Sequence, residues 1–513
     1  MIVVNLNKDK YKYDIHSLIK AFYPEQDIKM VVEGEPKDHS DKGQIEIDII
    51  NNEEKGLLKM VIHHPEGADT FLDINCLVEN SKEDEEEGDI EADVNTNGVS
   101  GNLQTAKNAM KQLIYIMLKK ETGTELPWGT LTGIRPTKIA MKILENGGSA
   151  EDIRSYMKNT YFTGEEKIDV SIKIAQREKS ILDSVDYKNG YSLYIGIPFC
   201  PTTCMYCSFT SFPIGLWKDK VDRYIECLKK EIDYVSKAFK DQKLCSLYIG
   251  GGTPTTLEPD QMERLLGYVE DKLDLSYMKE LTVESGRPDS ITRDKLIAMK
   301  KHGVSRISVN PQTMRDETLK FIGRRHTVAQ FIDAYKMARQ EGFDNINMDI
   351  ILGLPKEGPD DVKYTMEEIE KLMPDDLTVH SLALKRGSRL YEHMKQNGVV
   401  ETTNTDEMMK TCADGAARMG LSPYYLYRQK NMTGNFENTG YAREGKAGLY
   451  NMLIMEDLHS IVALGTGTVT KRIYRDENKV PTGRIERCDN VKDVKLYMEH
   501  IDEMIERKKR LFE

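Results

Sequence analysis

The sequence predicts an α/β protein built on a partial parallel (β/α)6 barrel, with an N-terminal α+β extension and a mainly helical C-terminal region. Six short apolar runs, Leu193–Ile197, Ser246–Ile249, Leu281–Glu284, Arg306–Val309, Ile346–Ile351 and Leu377–Leu384, alternate with stretches of helical periodicity. That is the rhythm of buried parallel strands joined by crossover helices. The residues least suited to a core fall at or just past the ends of these runs, where such barrels place their chemistry. A chain of 513 residues also exceeds what one ordinary core organises, so boundaries are expected near residues 185 and 390, giving segments 1–185, 186–390 and 391–513.

The first segment begins with strand-like runs such as Ile45–Ile50 and Lys59–His63, followed by an acidic stretch from Glu83 to Asp93 that reads as a solvated loop. Between Gln104 and Lys120, Ala106, Ala109, Met110, Leu113, Ile116 and Met117 recur at helical spacing and predict an amphipathic helix. The turn-rich string from Leu126 to Thr137, which holds Trp128, reads as an ordered connector. Past residue 390, Gly-, Tyr- and Asn-rich loops around Tyr424–Tyr427 and Gly434–Tyr450 precede a closing amphipathic helix whose stripe is Val494, Tyr497, Met498, Ile501, Met504 and Ile505. The 25 methionines fit core stripes better than a metal-binding role.

Composition narrows the function classes. With 39% hydrophobic and 30% charged residues the chain can bury an interior and stay soluble, and its net charge of −12 argues against wholesale affinity for nucleic acid or anionic membrane. No apolar run approaches the ~20 residues of a membrane span, and the N-terminal residues lack a signal-peptide apolar region. A cytoplasmic location is expected, which also suits eight cysteines without a disulfide-like framework.

Cys200, Cys204 and Cys207 stand directly after the first barrel run in Ile-Pro-Phe-Cys-Pro-Thr-Thr-Cys-Met-Tyr-Cys-Ser-Phe, whereas Cys76, Cys227, Cys245, Cys412 and Cys488 are scattered singly. Three thiolates leave one iron of a 4Fe–4S cubane with an open position, able to bind a ligand. Zinc is the competing reading, but structural zinc favours paired knuckles with four protein ligands, and no second Cys or His pair lies nearby.

At every defining position this loop resembles the signature of the radical S-adenosylmethionine (SAM) superfamily. The resemblance implies that the amine and carboxylate of SAM chelate the open iron, and that one electron from the cluster cleaves SAM to a 5′-deoxyadenosyl radical that abstracts hydrogen. Gly250-Gly-Gly-Thr-Pro254 resembles the stretch that holds the SAM amino group, which carries Gly251, Gly252 and Thr253 into the site. Glu284 matches a Glu that contacts SAM in the porphyrin enzymes of the superfamily. Gln312, Arg324 and Asp349, at intervals of 12 and 25 residues, match the Gln, Arg and Asp that bind SAM there. Such a set suits its role, since Asp can take ribose hydroxyls while Arg and Gln pair with carboxylate and polar edges.

From about Tyr191 to Thr470 the resemblance is narrowest to the oxygen-independent coproporphyrinogen III oxidase group, in its coproporphyrinogen dehydrogenase branch. It implies oxidative decarboxylation of two substrate propionates to vinyls, one or two SAM molecules, a tetrapyrrole substrate, and a low-potential donor such as flavodoxin or ferredoxin. Tyr194 matches a Tyr beside the cluster in the decarboxylase. The chain departs from that pattern at Gly196, where the decarboxylase has His, and at Phe209, where it has a fourth Cys. The same group contains haem chaperones and haem-opening methyltransferases. Chaperone-like members carry a His-Asn-x-x-Tyr-Trp string where this chain reads Leu449-Tyr450-Asn451, and His326 and His380 are the candidates for a haem ligand. Lys385, Arg386, Arg428, Lys430 and Arg443 are the candidate partners for substrate carboxylates.

Overall fold

The computed structural model describes residues 1–24, 26–34, 45–52, 57–63, 70–75, 106–385, 387–398, 402–429 and 436–513. The acidic stretch Glu83–Asp93, Gln104, Cys76, Arg386, Lys430 and Gly434 lie outside them. Two compact units form, Met1–Gln176 and Arg177–Glu513.

In the first unit, strands β1 (Ile2–Leu6), β2 (Ile28–Val32), β3 (Ile45–Asn52), β4 (Leu57–His63) and β5 (Thr70–Asn75) form one sheet in the order β2-β1-β3-β4-β5. Strand β1 is parallel to both neighbours, and β3-β4-β5 is an antiparallel meander. Alternation along β1 sends Ile2, Val4 and Leu6 to the face where α1 (Lys12–Phe22) contributes Ile15, Leu18, Ile19 and Phe22, and where α2 (Ala106–Thr122) adds Met110, Leu113 and Met117. One residue of the expected α2 stripe is corrected: Ile116 is 42% exposed, while Ile114 and Leu118, one turn apart on the buried face, take its place. The connector residue Trp128 is buried, and α3 (Thr137–Glu145), α4 (Ala150–Tyr161) and α5 (Glu165–Leu182) follow.

The second unit carries the expected barrel. The six predicted runs become β6 (Gly190–Ile197), β9 (Lys243–Gly251), β10 (Glu280–Glu284), β11 (Arg306–Ser308), β12 (Ile346–Leu352) and β13 (Asp376–Ser381), all parallel and adjacent in chain order. Two short strands, β7 (Phe199–Cys200) and β8 (Phe212–Pro213), pair with each other after β6. Crossovers run through α6 (Val221–Ala238), α7 (Pro259–Lys272), α8 (Arg293–Lys301), α9 (Asp316–Phe321), α10 (Val328–Gln340) and α11 (Pro359–Leu372). Leu193, Ile195, Ile197, Leu247, Ile249, Val283 and Ile307 face the helices in one core, because one side of each strand is apolar.

Beyond residue 390 the structure departs from the expected mainly helical reading. Helices α12 (Arg389–Asn397), α13 (Asp406–Arg418) and α14 (Leu449–Glu456) are joined by β14 (Ser422–Tyr427), β15 (Asn438–Ala442), β16 (Ile461–Leu464), β17 (Val469–Arg475) and β18 (Pro481–Asp489). These strands extend the barrel sheet at both edges, in the order β14-β15-β13-β12-β11-β10-β9-β6-β16-β17-β18. The Pro, Tyr, Asn and Gly residues of β14 and β15 carry turn signals as strong as their strand signals, β16 is only four residues long, and β17 and β18 are rich in charge, all of which conceals them from periodicity. The closing stripe is split at His500 into α15 (Val494–Glu499) and α16 (Ile501–Phe512). A buried cluster pins this end to α6: Lys508 Nζ donates to Glu231 Oε1 (2.7 Å) and Asn490 Oδ1 (2.6 Å), while Tyr497 Oη donates to Glu231 Oε2 (2.5 Å).

Candidate functional site

Opposite the apolar faces of the barrel strands, the same alternation sends polar and aromatic side chains to the inner side. Register sets Tyr194 beside Tyr248 and Gly196 beside Gly250. The Tyr194 and Tyr248 rings stack with centroids 5.9 Å apart and planes 12° from parallel, and Tyr450 of α14 closes the group at 4.5 Å from Tyr248 and 6.1 Å from Tyr194. Tyr450 is held there because the Glu280 carboxylate caps α14, accepting from the Leu449 N–H (2.7 Å) and the Tyr450 N–H (3.2 Å). Burial keeps all three phenols protonated by raising each well above the ordinary tyrosine value.

Next to this stack, Tyr248 Oη donates to Glu284 Oε1 at 2.5 Å. Burial pushes the Glu284 carboxyl up to about 7, against the lowering effect of that phenol. Asp349 behaves differently. Burial disfavours its charge, but His380, whose Nε2 lies 3.8 Å from Oδ2, and the Asn347 amide outweigh it, so the carboxyl stays below the usual range. Asn310 grips the same residue twice, donating Nδ2 to Asp349 Oδ2 (2.7 Å) and accepting the Asp349 N–H (3.1 Å).

The Cys loop lies at this end of the strands. Pairing of β7 with β8 brackets it, Met205 N donates to Ile322 O (2.9 Å), and Leu390 N donates to Met205 O (2.8 Å). Cys200 and Cys204 are buried and Cys207 partly so. Burial raises the Cys200 thiol to about 11 and also raises Cys207, with each thiolate further disfavoured by its neighbours' charge. Metal ligation removes such protons outright. Among the described residues no three Cys, His, Asp or Glu side chains converge as a single-ion site does. The donor set fits an iron–sulfur cluster in its chemistry: three thiols on one loop, with Thr253 Oγ1 donating to Cys200 Sγ (3.4 Å) and Arg287 Nη1 to Cys204 Sγ (3.5 Å).

The other sequence-selected residues fall around this loop. Gly251 adopts a left-handed φ of 105°, and a Cβ on Gly252 would stand 2.7 Å from the Phe199 carbonyl oxygen, so this stretch packs directly against the start of the Cys loop. Thr253 joins it through N–H to Phe199 O at 2.7 Å. Arg324 is buried, with Nη1 on the carbonyls of Gly286 (3.1 Å) and Asn310 (2.8 Å), Nη2 on Tyr206 Oη (3.3 Å), and its Nε buried without a partner. Gln312, at a left-handed φ of 66°, bonds the Asp349 strand through its backbone and leaves its buried Oε1 unpartnered. Both orphan atoms suit a polar ligand.

Three readings change. Arg443 does not reach the mouth of the barrel: β15 runs antiparallel to β13, so Arg443 sits at the strand-start end, 3.9 Å from Asp375. His380 is engaged with Asp349, and His326 is only 3% exposed, so neither offers an open face to a haem; burial also lowers His326 to about 3, and both its ring nitrogens are unpartnered. Lys385 is exposed and Arg428 buried at the strand-end side. Sequence reasoning missed Tyr248 and Arg287. The first shares Tyr194's register, and the second follows β10 in Gly-Arg-Pro, a string that a lone chain does not distinguish from a turn.

The radical SAM superfamily profile matches residues 194–369. The chain is 40% identical over 419 residues to the oxygen-independent coproporphyrinogen-III oxidase-like protein HemZ of Bacillus subtilis, covering 80% of this chain and 83% of that protein. It is 33% identical to the haem chaperone HemW of Lactococcus lactis, over 45% of this chain and 60% of that one. To the oxygen-independent coproporphyrinogen III oxidase of Salmonella typhimurium it is 31% identical, over 37% of this chain and 42% of that one.

Proposed function

Because the chain belongs to the radical SAM family of oxygen-independent coproporphyrinogen-III oxidase-like proteins, we propose that it carries out oxidative decarboxylation of coproporphyrinogen III to protoporphyrinogen IX. The family works with a 4Fe–4S cluster and SAM. We assign the cluster to Cys200, Cys204 and Cys207 and the SAM site to Tyr194, Gly251, Gly252, Thr253, Glu284, Gln312, Arg324 and Asp349. When bound, this pair supplies a 5′-deoxyadenosyl radical. The observation that carries the reading is the convergence of Glu284, Asn310 and Asp349 with the Cys loop at one set of strand ends.

The chain's own residues then have defined tasks. Asp349 stays ionised and, oriented by Asn310 and Asn347, presents a fixed acceptor to sugar hydroxyls. The Tyr194–Tyr248–Tyr450 stack excludes water from the inner wall, which protects a carbon radical from side reactions. Lys385 and Arg428 lie at the strand-end side and suit the propionate carboxylates. Hydrogen leaves the propionate β-carbon, carbon dioxide departs, and the remaining electron goes to an external acceptor. A low-potential donor of the flavodoxin or ferredoxin kind, and a cytoplasmic setting, complete the proposal. No helix among the described residues is long and apolar enough to cross a membrane.

A second reading, a haem-binding trafficking protein, is favoured by the likeness to the haem chaperone and by Gly196, where the decarboxylase pattern has His. Anaerobic incubation with SAM, reductant, an electron acceptor and either coproporphyrinogen III or haem separates the two. The enzyme reading expects a tetrapyrrole lighter by two formic-acid equivalents from the first substrate. Tight haem binding with coproporphyrinogen III left intact would replace it with the second.

A further inference from the structure

Arg287 follows β10 and is 4% exposed, an unfavourable place for a guanidinium unless its donors are met. All five are. Nε and Nη2 fork onto Asp289 at 3.0 and 2.8 Å. Nη2 also reaches Thr202 Oγ1 (3.0 Å), and Nη1 is shared between Thr202 O (3.0 Å) and Cys204 Sγ (3.5 Å). Asp289 offsets the charge and fixes the plane of the fork, so that one N–H is aimed at a cysteine sulfur and two others hold the loop residue two positions before it. Thr253 repeats the theme at Cys200, with a neutral hydroxyl in place of a cation. The third thiol, Cys207, sits beside the charge of Arg324.

We propose that Arg287 is a positioning residue for the iron–sulfur cluster, raising its reduction potential through the N–H directed at Cys204 Sγ while Asp289 sets the strength of that effect. The inference rests on the assignment of Cys204 as a cluster ligand. Reduction adds negative charge to the cluster, and a hydrogen bond from a cationic donor to a ligand sulfur stabilises the electron-rich form, so potential rises with donor strength. Asp289 moderates the cation, and neutralising it leaves the guanidinium's charge uncompensated.

The test is the cluster's midpoint potential, followed by electron paramagnetic resonance in the anaerobically reconstituted full-length protein. Arg287→Met is expected to keep its iron and sulfide but to become harder to reduce, by about tenfold in the reduction equilibrium, equivalent to about 59 mV for one electron. Arg287→Lys, which keeps a cation without the fork, should recover part of that shift. Asp289→Asn should move the potential in the opposite direction, and it keeps the inference falsifiable if Arg287→Met does not fold. An intact wild-type cluster with unmoved potential in the Asp289→Asn and Arg287→Lys proteins overturns the inference alone. A wild-type protein that assembles no cluster overturns the ligand assignment with it.

Discussion

Thr468 occupies the space that a side chain at residue 196 would need. A Cβ on Gly196 would lie 2.6 Å from Thr468 Cγ2 and 3.3 Å from the Leu464 carbonyl oxygen, while the Gly196 carbonyl accepts from Tyr224 Oη at 2.7 Å. The departure from the decarboxylase's histidine is thus built into the packing of the end of β6 against the segment between β16 and β17, on the same inner side as Tyr194. Gly196→Ala should destabilise the protein by about 1–3 kcal/mol through overpacking. Thr468→Ser deletes the offending methyl and keeps the hydroxyl that bonds Gly465 O, so the double variant should regain most of the loss. Chemical denaturation of the four proteins of this cycle checks the coupling, and additive losses would show the two sites to be independent.

Glu284 gives a pH signature. Its carboxyl is raised to about 7 in the folded chain from an ordinary 4.5, chiefly by burial. Between those values the unfolded chain has released a proton that the folded chain still holds, so stability falls as pH rises through this window, by on the order of 1–3 kcal/mol. Urea midpoints of the metal-free protein should therefore decline from about pH 5 to about pH 8, and Glu284→Gln should flatten that part of the decline. Tyr248→Phe removes the hydrogen bond that favours the carboxylate, which should move the window upward.

The buried pair Lys508–Glu231 joins α16 to α6 with both side chains at 0% exposure. Removing one partner strands the other charge, so Lys508→Met should cost roughly 3–5 kcal/mol. Replacing both by apolar residues should cost far less. Equal losses from the single and double variants would mean that the charge is not what the site requires.

Asp349→Ala should weaken SAM binding while sparing the cluster. Losing one charge-assisted hydrogen bond costs about 1.5–3 kcal/mol, or roughly 10- to 150-fold in affinity. Anaerobic calorimetry measures it directly, and unchanged affinity would mark Asp349 as structural.

Much of this architecture is legible in the chain itself, because parallel strands buried on one face by helices write themselves as apolar runs, and because Cys200, Cys204 and Cys207 stand apart from the five scattered cysteines. Tyr450 was harder to place. It lies far along the chain from Tyr194, and the two rings come to 6.1 Å through a tertiary contact, the capping of α14 by Glu280. Arg287 is similar: its role depends on reaching back across 83 residues to Cys204, a pairing that no local periodicity records. Strands β14 and β15 were hidden for a different reason, since their Gly and Tyr residues serve close packing, as where Tyr425 fills the place a Cβ on Gly440 would take, while β16 is only four residues long.

The central claim is hydrogen abstraction from a porphyrinogen propionate, and isotope transfer tests it most directly. Coproporphyrinogen III deuterated at the propionate β-carbons is incubated anaerobically with reconstituted protein, SAM, a low-potential reductant and an electron acceptor, and the 5′-deoxyadenosine is weighed by mass spectrometry. The account predicts deuterium in the 5′-deoxyadenosine, matched by loss of carbon dioxide from the substrate. Unlabelled 5′-deoxyadenosine at the substrate-free level, with the porphyrinogen unchanged, would contradict it.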